Sequence, residues 1–172
     1  MLDLYIGNKL GFQSLGPYCY GRDVFAPADG TVICFRNDRP DSKTYGNGST
    51  DSSVKDIRGN FIVIRHTDKE YSFIAHLLPG SITVKKGQQV KRGERIARCG
   101  NSGNTSEPHI HFHIQDGKGI FTSAGLPVVF DGINTGYAEN YDKYDPRKTY
   151  IPQATEALYV HRGQYVENIS ST

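Results

Sequence analysis

Polar and apolar residues alternate strictly across His109-Ile110-His111-Phe112-His113-Ile114. Successive side chains of a strand point to opposite faces, so this run predicts a strand. Ile110, Phe112 and Ile114 then face a core, and three imidazoles share the other face. Pro108 restricts the residue before it and lacks a backbone donor, so regular pairing is expected to begin after it. Shorter apolar runs predict further strands. Leu2–Ile6 forms one at the start of the chain. Val24-Phe25-Ala26-Pro27 leads into a tight turn at Ala28-Asp29-Gly30 and a strand over Thr31–Phe35. Phe61–His66 and Tyr71–Leu77 flank Thr67-Asp68-Lys69-Glu70 and read as a hairpin. A unit V-x-x-G-x-x recurs at Val84, Val90 and, with Ile in place of Val, Ile96. Its apolar positions pin short strands, and Gly87 and Gly93 permit turns between them. Gly125–Phe130 is a last strand candidate.

Between these runs the pattern lapses. Residues 7–22 read as loop. Residues 37–57 are polar, rich in Gly, Ser and Asp, and form a long loop, read as a mobile insertion or, more sharply, as a flap beside a groove. Residues 131–172 are polar, rich in Tyr and weakly patterned, with one helical turn expected at Ala154–Tyr159.

Composition narrows the class. The chain has 172 residues, enough for one domain with a sizeable core and an appendage. Its 19 glycines and short β-branched runs suggest an all-β domain rich in turns. Twenty basic residues nearly balance 18 acidic ones, which gives no argument for a nucleic-acid partner. No apolar run approaches a membrane span. The N-terminus lacks the basic start and long apolar stretch of a signal peptide. Three widely spaced cysteines, Cys19, Cys34 and Cys99, make neither a disulfide framework nor a CxxC zinc pair. Cys34 and Cys99 are expected in the core. No serine- or cysteine-nucleophile motif is present. The sequence sets no oligomeric state.

The imidazole row carries the chemistry. Neutral imidazole is a common zinc ligand. Same-face neighbours on a strand lie about 6–7 Å apart, so His109 and His111 can share one site. His113, about 13 Å from His109, is expected to play a supporting or structural role. The stretch from His76-Leu77 through the V-x-x-G repeat to GNSGNTSEPHIHFHI resembles the lysostaphin-type zinc metallopeptidases, which cleave peptide bonds in bacterial peptidoglycan. Phe25–Val32 is similar to that family's early strand-turn-strand segment, and Gly125–Phe130 to an extension in one branch. The likeness covers residues 24 to 130.

The resemblance implies a two-sheet barrel or sandwich hybrid, all-β, with long loops framing a groove. It implies His111 as a Zn2+ ligand and His76 and His109 as catalytic residues beside the attacked carbonyl. It also implies an extracytoplasmic location and a peptidoglycan peptide as substrate. The family takes its other two ligands from an HxxxD motif, which this chain lacks. Asp3 is the best match for the ligand Asp, and its partner His would precede Met1. A native start upstream, supplying that His, is therefore expected, with residues 1–130 a peptidase-like domain and 131–172 an extension packed on it. His66 with Glu70 is a weak imitation of the motif, and Asp23 is a second candidate for the Asp. The rival reading is a non-catalytic, wall-binding or regulatory relative with a degenerate zinc site. A biotinyl or lipoyl carrier, suggested by the repeat alone, would need an exposed lysine in a tight hairpin, and none is present.

Overall fold

The computed structural model describes residues 2–4, 19–43, 50, 54–130, 133–137, 160 and 164–168, with the backbone alone at 2–4, 137 and 167–168. Among these residues the regular structure is all strand. The strands are β1 (Leu2–Leu4), β2 (Asp23–Phe25), β3 (Gly30–Arg36), β4 (Asn60–Thr67), β5 (Glu70–Leu77), β6 (Gln89–Val90), β7 (Arg95–Arg98), β8 (Ile110–Gln115), β9 (Gly125–Leu126), β10 (Ile133–Tyr137) and β11 (Gln164–Asn168). Seven of them make one antiparallel sheet in the order β1-β8-β5-β4-β3-β6, with β9 paired to the far end of β8. The sheet stays open rather than closing into a barrel. β2 and β7 make a second, two-stranded sheet, and β10 and β11 a separate ribbon.

The main core lies between the large sheet and β2–β7. Val32, Ile62, Ile64, Ile74, Ile110 and Phe112 from the large sheet meet Val24, Ile96 and Ala97 from the small one. Val84, Val90 and Ile96, the three apolar positions of the repeat, are all buried in this core. The chain turns at Gly87 and Gly93, both at positive φ. The reverse face of the large sheet carries a smaller cluster of Phe61, Val63, Phe73 and Ala75. The expected hairpin forms, with β4 and β5 each gaining residues at the turn.

Some expectations need correction. The strand expected over Gly125–Phe130 ends at Leu126, because Pro127 has no N–H to continue the ladder. Val128 and Phe130 pack against the main core instead. Cys99 is a core residue, whereas Cys34 is only half-buried, against the smaller cluster. The helical turn at 154–159, residues 5–6 of the first strand and most of the 131–172 extension lie outside the described residues. No helix among the described residues is long and apolar enough to cross a membrane.

Candidate catalytic histidines and metal centre

Cross-strand pairing puts the imidazole row over the smaller cluster. His113 stands opposite Phe73, and His111 opposite Ala75. Directly opposed residues share a face, so the face that carries the imidazoles also carries Phe73, Ala75 and Phe61. The His113 ring stacks on Phe73 at 5.1 Å, and the His111 ring meets its edge at 6.2 Å. Burial holds the His113 imidazolium below its usual pKa, against the opposing pull of its hydrogen bond to Gln115, and the nearby His111 adds to the depression.

His76 reaches the same place by a different device. Leu77 pairs with Asn60 and Ala75 with Phe61, so the register with β4 shifts at His76, an extra residue in β5. It is a β-bulge, and its φ is 62°. A bulge re-aims a side chain, and a non-glycine residue at positive φ persists only where its surroundings hold it. Here Nδ1–H of His76 donates to Ser102 O at 2.7 Å. A carbonyl can only accept, so the proton sits on Nδ1 and the lone pair on Nε2. The His76 ring lies 4.6 Å from that of His109 and 6.0 Å from that of His111.

His109, one residue before β8, is set by the same logic. Its Nδ1–H donates to Glu107 O at 2.8 Å, with Thr105 Oγ1 at 3.2 Å. Its lone pair is also on Nε2. Two imidazoles of matching tautomer thus lie with ring centres 4.6 Å apart.

The turn that carries these anchors is held tightly. Ser102 is fully buried, its hydroxyl donating to Leu77 O at 2.7 Å and accepting from the Asn60 N–H at 2.9 Å. Gly59 and Gly103 pass so closely that a Cβ on either would strike the other segment's backbone, and both have positive φ. The first part of the 37–57 loop joins this structure. Asp41 accepts from the Asn101 N–H and from Tyr20 Oη–H, and Ser42 N–H donates to Asn101 O. A cavity of about 540 Å³ opens between this loop and the turn, lined in part by Arg39, Asp41, Lys43, Lys55, Gly59 and Gly103. Asp56, at its edge, is clasped by Arg58 and Arg36, and the Arg58 hydrogen bond holds its carboxyl below the usual range.

β1 pairs with β8 so that Asp3 stands directly opposite His111. Asp3 therefore occupies a register position on the imidazole face. The other acidic candidates go elsewhere. Asp23 lies on β2 between Arg95 and Arg98, each at 3.5 Å. His66 is tied to Asp29 O and Ser72 Oγ on the core side, and Glu70 pairs with Thr67 in the hairpin turn. Cys19 donates to Pro108 O at 2.9 Å. His161 lies outside the described residues. Among the described residues no three His, Cys, Asp or Glu side chains form a group able to hold a metal. The donor chemistry at His111 and Asp3, an imidazole across from a carboxylate residue, is nonetheless of the type zinc selects.

The sequence offers Ser102 and Thr105 only as residues of the turn before β8, and gives Gln115 no role. Ser102 and Thr105 look like ordinary turn residues. Gln115 continues the period-two row one step past His113, which was the available signal.

The open antiparallel sheet carries a histidine row on one strand and a bulged histidine on the next. Residues 16–128 match peptidase family M23, and the chain belongs to that family. It is 33% identical over 94 residues to the peptidoglycan DD-endopeptidase ShyA of Vibrio cholerae, an alignment covering 55% of this chain and 17% of that protein. It is 40% identical over 139 residues to an uncharacterized metalloprotease of Haemophilus influenzae, covering 80% of this chain and 24% of the relative. It is 39% identical over 122 residues to the murein hydrolase activator NlpD of Escherichia coli, covering 70% and 26%. The chain thus spans about a quarter or less of the length of these relatives.

Proposed function

We propose that this chain is a zinc-dependent endopeptidase domain that cuts peptide bonds in bacterial cell-wall peptidoglycan, outside the cytoplasm. The observation that carries the reading is the approach of His76 to His109, which the bulge in β5 exists to make. Strain of that kind collects at functional sites. The names of the relatives ShyA and the H. influenzae metalloprotease support the substrate and the metal.

In this reading His111 and Asp3 are two of the ligands, and the remaining His of the HxxxD motif has no counterpart in the sequence. Zinc at such a site supplies a Lewis acid that polarises a carbonyl and lowers the pKa of water. The chain's own residues handle the protons. Nε2 of one of the paired imidazoles takes the proton from the attacking water and passes it to the leaving amine. The other, once protonated, donates to the carbonyl oxygen as negative charge develops there. Glu107 O and Ser102 O keep both rings in the tautomer this requires.

The test is release of soluble peptides from purified peptidoglycan by the full-length protein, with and without a zinc chelator. Zinc-dependent release supports the reading. The likeness to NlpD favours a second one, a domain that activates other wall hydrolases and does not itself cut. Stimulation of a partner hydrolase with no cleavage by the protein alone would select it.

A further inference from the structure

We propose that His113 and Gln115 are positioning residues that fix which nitrogen of His111 carries its lone pair, and so which nitrogen can bind a metal. The inference rests on the peptidase reading for its purpose, though not for its geometry. A continuous line of hydrogen bonds runs along the imidazole face of β8. Gln115 Nε2 lies 2.6 Å from Gly117 O, His113 Nε2 lies 2.6 Å from Gln115 Oε1, and His111 Nε2 lies 3.1 Å from His113 Nδ1.

The direction of every bond follows from the far end. Gly117 O can only accept, so the Gln115 amide must turn its NH₂ toward it. That leaves the Gln115 carbonyl oxygen facing His113, and a carbonyl oxygen can only accept. In its neutral form His113 therefore carries its proton on Nε2 and its lone pair on Nδ1. The lone pair in turn requires a proton on Nε2 of His111. Neutral His111 is left with its lone pair on Nδ1, the opposite tautomer to His76 and His109.

The line is well built. Gln115 is 1% exposed, so its amide has little water to compete for it. Phe73 stacks on His113 and meets the edge of His111, which fixes both ring planes. Partners of this kind behind a ligating histidine set its tautomer and basicity, and their loss typically costs about 10–100-fold in metal affinity. A carboxylate often fills that role; here an imidazole and an amide fill it.

Nitrogen-15 NMR of the imidazoles in the metal-free full chain at pH 8 tests the geometry, and zinc affinity by chelator competition tests its consequence. The expected spectrum has His111 and His113 protonated on Nε2, and His76 and His109 on Nδ1. His113→Phe keeps the stack on Phe73 but offers no acceptor. In that variant His111 is expected to become a tautomer mixture and the zinc Kd to rise about 10–100-fold. His113→Gln, whose amide can accept from His111 and donate to Gln115, is expected to restore both. Protonation of His111 on Nδ1 in the wild type, or an unchanged zinc Kd in folded His113→Phe, would overturn the proposal. Neither readout requires hydrolysis, so failure to cut peptidoglycan would count against the proposed function alone.

Discussion

His76 and His109 come within 4.6 Å, ring centre to ring centre, although one sits in a bulge of β5 and the other just ahead of β8. Each is anchored through Nδ1 to a backbone carbonyl. The sheet brings two imidazoles of the same tautomer together.

Replacing His109 by Ala removes a proton-transfer group without touching Asp3 or His111. Hydrolysis of peptidoglycan is expected to fall about 10²–10⁴-fold. Zinc affinity, measured by chelator competition, should stay within a few-fold of wild type. Loss of zinc in step with activity would make His109 a ligand instead.

The bulge offers a separation of stability from activity. His76→Gly relieves a positive φ but removes a buried ring that hydrogen-bonds Ser102 O and packs against His109 and His111. Relief of strain and loss of contacts oppose each other, so urea unfolding should shift by less than about 2 kcal/mol. Activity should nevertheless fall by at least about 10²-fold. A large loss of stability would mean that the conformation of His76 is imposed by packing alone.

Ser102 anchors His76 by its backbone and the β4–β5 edge by its side chain. Ser102→Ala leaves the carbonyl in place but strands the Asn60 N–H and leaves Leu77 O with only the Asn60 side-chain amide. The expected cost is about 1–3 kcal/mol in denaturant unfolding. Turnover by the folded fraction should change less than tenfold.

Asp56 links Arg36 and Arg58 at the edge of the cavity. Its folded-state pKa is depressed, chiefly by the Arg58 hydrogen bond, so its contribution is present above the ordinary value of 3.8 and is lost as pH falls through the folded pKa. Asp56→Asn is expected to destabilise the protein by about 1 kcal/mol at pH 7. The gap between variant and wild type should close as the pH drops below 3.8. A gap that persists in acid would show that charge is not its source.

The sequence revealed most of the sheet because a continuous apolar run such as Phe61–Ile64 marks a strand buried on both faces, and the alternation over Ile110–Ile114 leaves one choice of buried face. The V-x-x-G repeat was legible for the same reason, each apolar residue entering the core. What stayed hidden depends on contacts between distant segments. Nothing local marks His76 as a bulge, since its extra place appears only when Asn60 and Leu77 pair. Ser102 and Thr105 anchor histidines through atoms that any turn residue could offer. Gln115 reads as the polar end of a strand until the line back to His111 is drawn. Asp3 was chosen by resemblance, and the β1–β8 register sets it opposite His111 by a pairing no periodicity announced.

The claim on which the rest depends is that His111 binds the metal that activates the substrate. Peptide release from purified peptidoglycan, measured for full-length wild type and His111→Ala with zinc supplied, tests it most directly. The account predicts zinc-dependent release by the wild type, and neither release nor tight zinc binding by the variant. Undiminished release by His111→Ala would contradict it.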